Sequence, residues 1–174
     1  MAGDHRQCQL TCTHCYAGSS PRGSHGTMTT PGWEQVITSA AAGGVQMVQF
    51  IGGEPTLHPS LPHLVRHALR QGLRVEVFSN LVKVTPALWD IFTLPGVCLA
   101  TSWYTDDPAQ HQQITGRNTH ARTWASITEC TRRGVPLRAG VIGGILAGQR
   151  DRQAVAMLAA LGVPTSTDHL RDLG

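Results

Sequence analysis

Residues 43–55 read Gly43-Gly44-Val45-Gln46-Met47-Val48-Gln49-Phe50-Ile51-Gly52-Gly53-Glu54-Pro55. A seven-residue run rich in apolar and β-branched side chains, closed on both sides by glycine pairs, has the length and punctuation of a buried strand. Upstream, Thr30-Pro31 opens a helical pattern through Trp33, Val36, Ile37 and Ala40 that stops at Gly43-Gly44. Downstream the alternation continues. A helix is expected over Leu61–Arg70, a strand over Arg74–Phe78, a short helix over Pro86–Phe92 and a strand over Val97–Ser102. Asp106-Asp107-Pro108 is a helix start, a further helix covers about Thr123–Arg133, and Pro136–Ile142 is a strand. A helix over Arg150–Leu161 then leads to a last strand around Gly162 to Asp168.

Strands that alternate with helices imply parallel β-α units with right-handed crossovers. The strands read as apolar on both faces, as in a sheet covered by helices. Ligand sites in such folds gather beyond the carboxyl ends of the strands. That rule selects Gly52–His58, Ser79-Asn80, Ser102–Asp107 and Gly143-Gly144. One domain over residues 1–174 is expected, since no linker or low-complexity tract divides the chain.

Composition narrows the class. Hydrophobic residues make up 41% of the chain and the formal net charge is +3. The arginines are scattered, which argues against a nucleic-acid partner. No apolar run has the length of a membrane span, so no membrane association is expected and a cytoplasmic chain is the default. Three of the five cysteines fall within Cys8-Gln9-Leu10-Thr11-Cys12-Thr13-His14-Cys15. Clustered thiolates are soft ligands for zinc or an iron–sulfur cluster. Three of them can each take one corner of a cubane and leave the fourth iron open to a chelating ligand. A zinc site would need a fourth ligand, which His5, His14 or His25 could supply. Cys98 and Cys130 read as small buried hydrophobes.

Gly52-Gly53-Glu54-Pro55 closes the first strand with two residues that let backbone approach a ligand and a carboxylate suited to an ammonium group. Cys-x3-Cys-x2-Cys followed by Gly-Gly-Glu-Pro at a strand end resembles the radical SAM (S-adenosylmethionine) superfamily. Cys15-Tyr16 and His111-x-x-Ile114-Thr115-Gly116 resemble its peptide-modifying, SPASM-type branch. The resemblance implies a partial (β/α)6 barrel of parallel strands with outer helices. It implies a 4Fe–4S cluster on Cys8, Cys12 and Cys15, and SAM held by Gly52, Gly53, Glu54 and Pro55. It also implies polar SAM contacts from Asn80 and Ser102, with His14 and Ile142 beside the adenine. The implied chemistry is reductive cleavage of SAM to a 5′-deoxyadenosyl radical that abstracts a substrate hydrogen. A peptide substrate and a reductase or flavodoxin-type electron donor go with it. The other reading left open is a non-catalytic iron–sulfur or zinc-binding remnant.

Seven residues precede Cys8, so the first strand is expected to be missing or short, and the chain shortened at both ends. Tyr16 is expected to pack beside the cysteine loop. The loop is expected to be tethered through Tyr16 and the Gly18–Gly26 segment, leaving one edge of the Val45–Ile51 strand unpaired.

Overall fold

The computed structural model describes residues 5–169, so both ends of the expected 1–174 domain lie outside the described residues. The elements run α1 (Thr30–Ala42), β1 (Met47–Phe50), α2 (Leu61–Arg70), β2 (Arg74–Phe78), α3 (Pro86–Phe92), β3 (Val97–Trp103), α4 (Pro108–Thr115), α5 (His120–Arg132), β4 (Leu137–Gly143), α6 (Asp151–Ala160) and β5 (Thr165–His169). All neighbouring strand pairs are parallel, in the order β1-β2-β3-β4-β5. Each crossover carries at least one helix, as the Gly-punctuated pattern requires. The sheet remains open among the described residues.

Local chemistry sets the helix starts. Thr29, one residue earlier than the sequence reading placed the cap, accepts the Gly32 N–H. Thr85 accepts the Leu88 N–H at the head of α3, and Asp107 accepts from Ala109 and Gln110 at the head of α4. These side chains satisfy amide groups that the first helical turn leaves free.

The two faces of the sheet differ. Val48 and Phe50, Val75 and Val77, Leu99 and Trp103, and Ala139 and Val141 all join one buried cluster with Ile37, Leu64, Val65, Ile91, Ile127 and Leu158 from the helices. The alternating residues, on the concave face, include Gln49, Glu76 and Arg138. The expectation of strands apolar on both faces is therefore corrected. Among the described residues, the polar side chains Gln49, Glu76 and Arg138 on this face pair with one another. Arg138 donates from Nε and a terminal nitrogen to the two Glu76 carboxylate oxygens at 2.7 Å each, and Gln49 donates to the same carboxylate. The Arg138 guanidinium and the Gln49 amide hold the Glu76 carboxyl below its usual range against the opposing effect of burial.

This pair yields a pH-dependent prediction. The Glu76 side chain is 7% exposed and that of Arg138 48%. Arg138→Met should therefore cost about 2 kcal/mol at pH 7, between an exposed pair and a fully buried one. Because the folded-state value of Glu76 lies below its unfolded value, the pair stabilises the protein at neutral pH. Its contribution is lost as pH falls through the folded value. Urea melts should show variant and wild type converging below about pH 4. A gap that stays constant from neutral to acid pH contradicts the pairing.

Candidate cluster and SAM cleft

All but one of the candidate site residues are brought together at the carboxyl ends of the strands. Cys8, Cys12, His14, Cys15, Gly52, Gly53, Glu54, Asn80, Ser102 and Ile142 all line one open cleft. Pro55 does not. It is buried at the start of a 3-10 turn, Pro55–Leu57, and faces a separate apolar pocket with His5, Trp33 and Leu61.

The cysteine loop is anchored on both sides by backbone. Gly53 N–H donates to His5 O at 2.8 Å and Glu54 N–H donates to Gln7 O at 2.8 Å. Ser20 N–H donates to Arg6 O, and Cys8 N–H donates to Ser20 O, both at 3.1 Å. A single parallel bridge, Gln7–Ser20, marks the place where the sequence reading expected a missing or short first strand. On the far side, Thr11 N–H donates to Thr115 O and Thr13 N–H to Ile114 O, both at 3.0 Å. One expectation is thereby corrected: Tyr16 is 89% exposed and does not pack against the loop. The expected tether through the Gly18–Gly26 segment is present, by way of Ser20 and Ser24, and it is joined by the His5–Cys8 segment and the end of α4.

Two glycines make this anchoring possible. A Cβ on Gly53 would lie 2.2 Å from Gln7 O, so the space it leaves is filled by chain rather than kept for a ligand. Gly116, at φ 72°, ends α4, and a Cβ there would lie 2.0 Å from Thr11 Oγ1. His111-x-x-Ile114-Thr115-Gly116 is thus the clasp of the cysteine loop.

Glu54 is 1% exposed. Its Oε1 accepts from Thr56 N (3.1 Å), Thr56 Oγ1 (2.7 Å) and Ser79 Oγ (2.7 Å), and its Oε2 from Asn80 N (2.8 Å). Burial pushes the carboxyl above its usual range, and the four hydrogen bonds act against that by favouring the charged form. All five cysteines are free thiols. Burial raises the Cys8 thiol, and burial with the neighbouring Cys8 and Cys15 pushes Cys12 up to about 12. With both thiols raised, the thiolate forms of Cys8 and Cys12 would be favoured by a cationic centre beside them. Three soft thiols on one loop, Cys8, Cys12 and Cys15, are a donor set that fits an iron–sulfur cluster.

Several lining residues were not among the site residues named from the sequence. Tyr104 is buried between His14 and His111, with ring centroids at 5.1 and 6.0 Å, and burial raises its hydroxyl. His111 is 2% exposed, its Nε2 lies 3.2 Å from Thr119 Oγ1, and burial lowers it to about 4, so it is neutral at neutral pH. Tyr104 lies in the selected Ser102–Asp107 segment and His111 in the quoted motif. Thr123 also lines the cleft, and no local signal pointed to it. The buried Nδ1 atoms of His14 and His111 have no hydrogen-bond partner among the described residues.

A family profile described as the radical SAM superfamily matches residues 5–161. The chain belongs to the radical SAM superfamily. It is 31% identical over 137 residues to the PqqA peptide cyclase of Streptomyces rochei, covering 78% of this chain and 38% of that protein. The PqqA peptide cyclase of Xanthomonas campestris pv. campestris (strain B100) is 32% identical over 133 residues, covering 75% and 35%. Streptococcus suis SuiB bound to S-adenosylmethionine shares the fold at a TM-score of 0.86 and 16% identity, covering 99% of this chain and 40% of that one. Native anSMEcpe with bound AdoMet does so at 0.81 and 14%, covering 98% and 50%. The chain spans little more than a third of the length of the two peptide cyclases. No helix among the described residues is long and apolar enough to cross a membrane.

The clasp can be tested directly. Gly116→Ala should lower stability by about 2 kcal/mol, from left-handed backbone strain plus the overlap with Thr11. Adding Thr11→Ala should restore part of the loss, because it removes the closest contact and leaves the strain. Equal thermal midpoints for wild type and Gly116→Ala would show that the loop does not rest on this contact.

Proposed function

We propose that this chain is the core of a radical SAM enzyme that holds a 4Fe–4S cluster on Cys8, Cys12 and Cys15 and SAM in the adjoining cleft. The observation that carries the reading is the opening of three free thiols and the Gly52-Gly53-Glu54 strand end onto the same cavity. When bound, the cluster and SAM supply one-electron cleavage of a carbon–sulfur bond and, from it, hydrogen-atom abstraction.

The chain's own residues bind and orient. Glu54 Oε2 carries one hydrogen bond against three on Oε1, so it is the oxygen with capacity for a methionyl ammonium. Ser102 offers a hydroxyl from the end of β3, and Ile142 an apolar wall from β4. The His14 ring, held edge-on to Tyr104, offers an apolar face and an unpartnered Nδ1 to a purine. Asn80 joins the two halves, with its backbone on Glu54 and its side chain toward Cys8. Pro55 acts by fixing the turn after Glu54. A peptide is the proposed substrate, supported by the PqqA peptide cyclases and by SuiB bound to the precursor peptide SuiA. A reductase or flavodoxin-type donor would supply the electron in the cytoplasm.

Anaerobic reconstitution followed by metal analysis tests the cofactor. About four irons and four sulfides per chain are expected, with the brown absorbance lost in Cys8→Ala, Cys12→Ala or Cys15→Ala and kept in Cys98→Ala and Cys130→Ala. Zinc without sulfide, or a full cubane in Cys12→Ala, contradicts the assignment. Glu54→Ala should weaken SAM binding to the reconstituted chain by about 10- to 150-fold, the range of a charge-assisted hydrogen bond. Calorimetry showing unchanged affinity in a variant with wild-type circular dichroism would remove Glu54 from the SAM site.

A further inference from the structure

Asn80 lies just beyond β2, and its amide orientation is fixed by its neighbours. Oδ1 accepts the Val82 N–H at 3.0 Å and the Gln9 Nε2 donor at 2.9 Å. The Val82 N–H can only donate, so the amide oxygen must lie on that side. The amide nitrogen then faces the Cys8 sulfur, at 3.6 Å. The rest of the residue is tied as well. Its backbone N–H donates to Glu54 Oε2 at 2.8 Å, and its carbonyl accepts Thr123 Oγ1 at 3.3 Å. The next residue, Leu81, is fully buried at φ 55°, a left-handed conformation rare for leucine. Ser79 Oγ accepts the Leu81 N–H at 3.0 Å and helps to hold it there. Strain of this kind persists only where the surroundings over-determine the backbone.

We infer that Asn80 is a positioning residue for the cluster: its side-chain N–H group donates to the Cys8 sulfur and raises the reduction potential of the iron–sulfur centre. The inference rests on the cluster reading above and extends it to the electronics of one ligand. Hydrogen bonds to cluster sulfurs are among the levers by which a protein sets such potentials. An added electron makes the thiolate sulfur more negative, so an N–H dipole aimed at it stabilises the reduced state more than the oxidised one. The Leu10 N–H, at 3.4 Å from the same sulfur, acts in the same sense. The Glu54 charge acts on Cys8 in the opposite sense, and Asn80 is in contact with both groups.

The test is an anaerobic redox titration, followed by electron paramagnetic resonance, of the full chain reconstituted with ferrous iron and sulfide. Wild type is compared with Asn80→Ala and Asn80→Ser. Serine keeps an oxygen that can accept the Val82 N–H but is too short to reach the sulfur, so it reports on the donor should alanine disturb the turn. Both variants should load iron and sulfide as wild type does. Their reduced-to-oxidised ratio at a fixed poise should fall about threefold to tenfold, the range a single hydrogen bond contributes. At 59 mV per tenfold for one electron, the midpoint moves roughly 30–60 mV more negative. Fully loaded variants that titrate at the wild-type potential overturn the inference alone. A wild-type chain that takes up no cluster overturns the reading beneath it.

Discussion

The buried carboxylate of Glu54 is the contact on which the rest of the cleft depends. It accepts four hydrogen bonds from the turn after β1 and from the end of β2. The same residue's main chain holds the amino-terminal segment, through Gln7 O on its N–H and His5 Nε2 on its carbonyl. A carboxylate buried without such donors would cost several kcal/mol, so sequence and geometry are bound together at this residue.

The two chemical motifs were legible because each is local. Cys-x3-Cys-x2-Cys and Gly-Gly-Glu-Pro are read within a few residues, and all of their named residues but Pro55 line the expected cleft. The helices and strands were legible for a related reason: hydrophobic periodicity and Gly or Thr-Pro punctuation act over single elements. What was hidden is long-range. The partner that explains Gly53 is Gln7 O, and the partner that explains Gly116 is Thr11, each about a hundred residues or fewer along the chain but invisible to any window. Tyr16, expected to pack, is instead exposed, and the loop is anchored by the backbone bonds from Thr11 and Thr13 to α4.

The concave face of the sheet gives a second such lesson. An alternation such as Val75-Glu76-Val77 reads as an imperfect apolar run until Arg138, two strands away, is seen to meet Glu76. Charge pairing between non-adjacent strands lets a parallel sheet carry polar residues on the face that the helices do not cover. The resulting division is a helix-packed outer side that supplies stability and an inner side whose upper end supplies the cleft.

The central claim is that three thiols leave one iron of a cubane open beside a SAM pocket shaped by Glu54. It is tested most directly by recording the electron paramagnetic resonance of the anaerobically reduced, reconstituted chain before and after SAM is added. The account predicts the signal of a reduced 4Fe–4S cluster whose g-values shift when SAM binds, and a much smaller shift in Glu54→Ala at a SAM concentration near the wild-type Kd. A reduced-cluster signal in the wild-type chain that SAM leaves unchanged would contradict it.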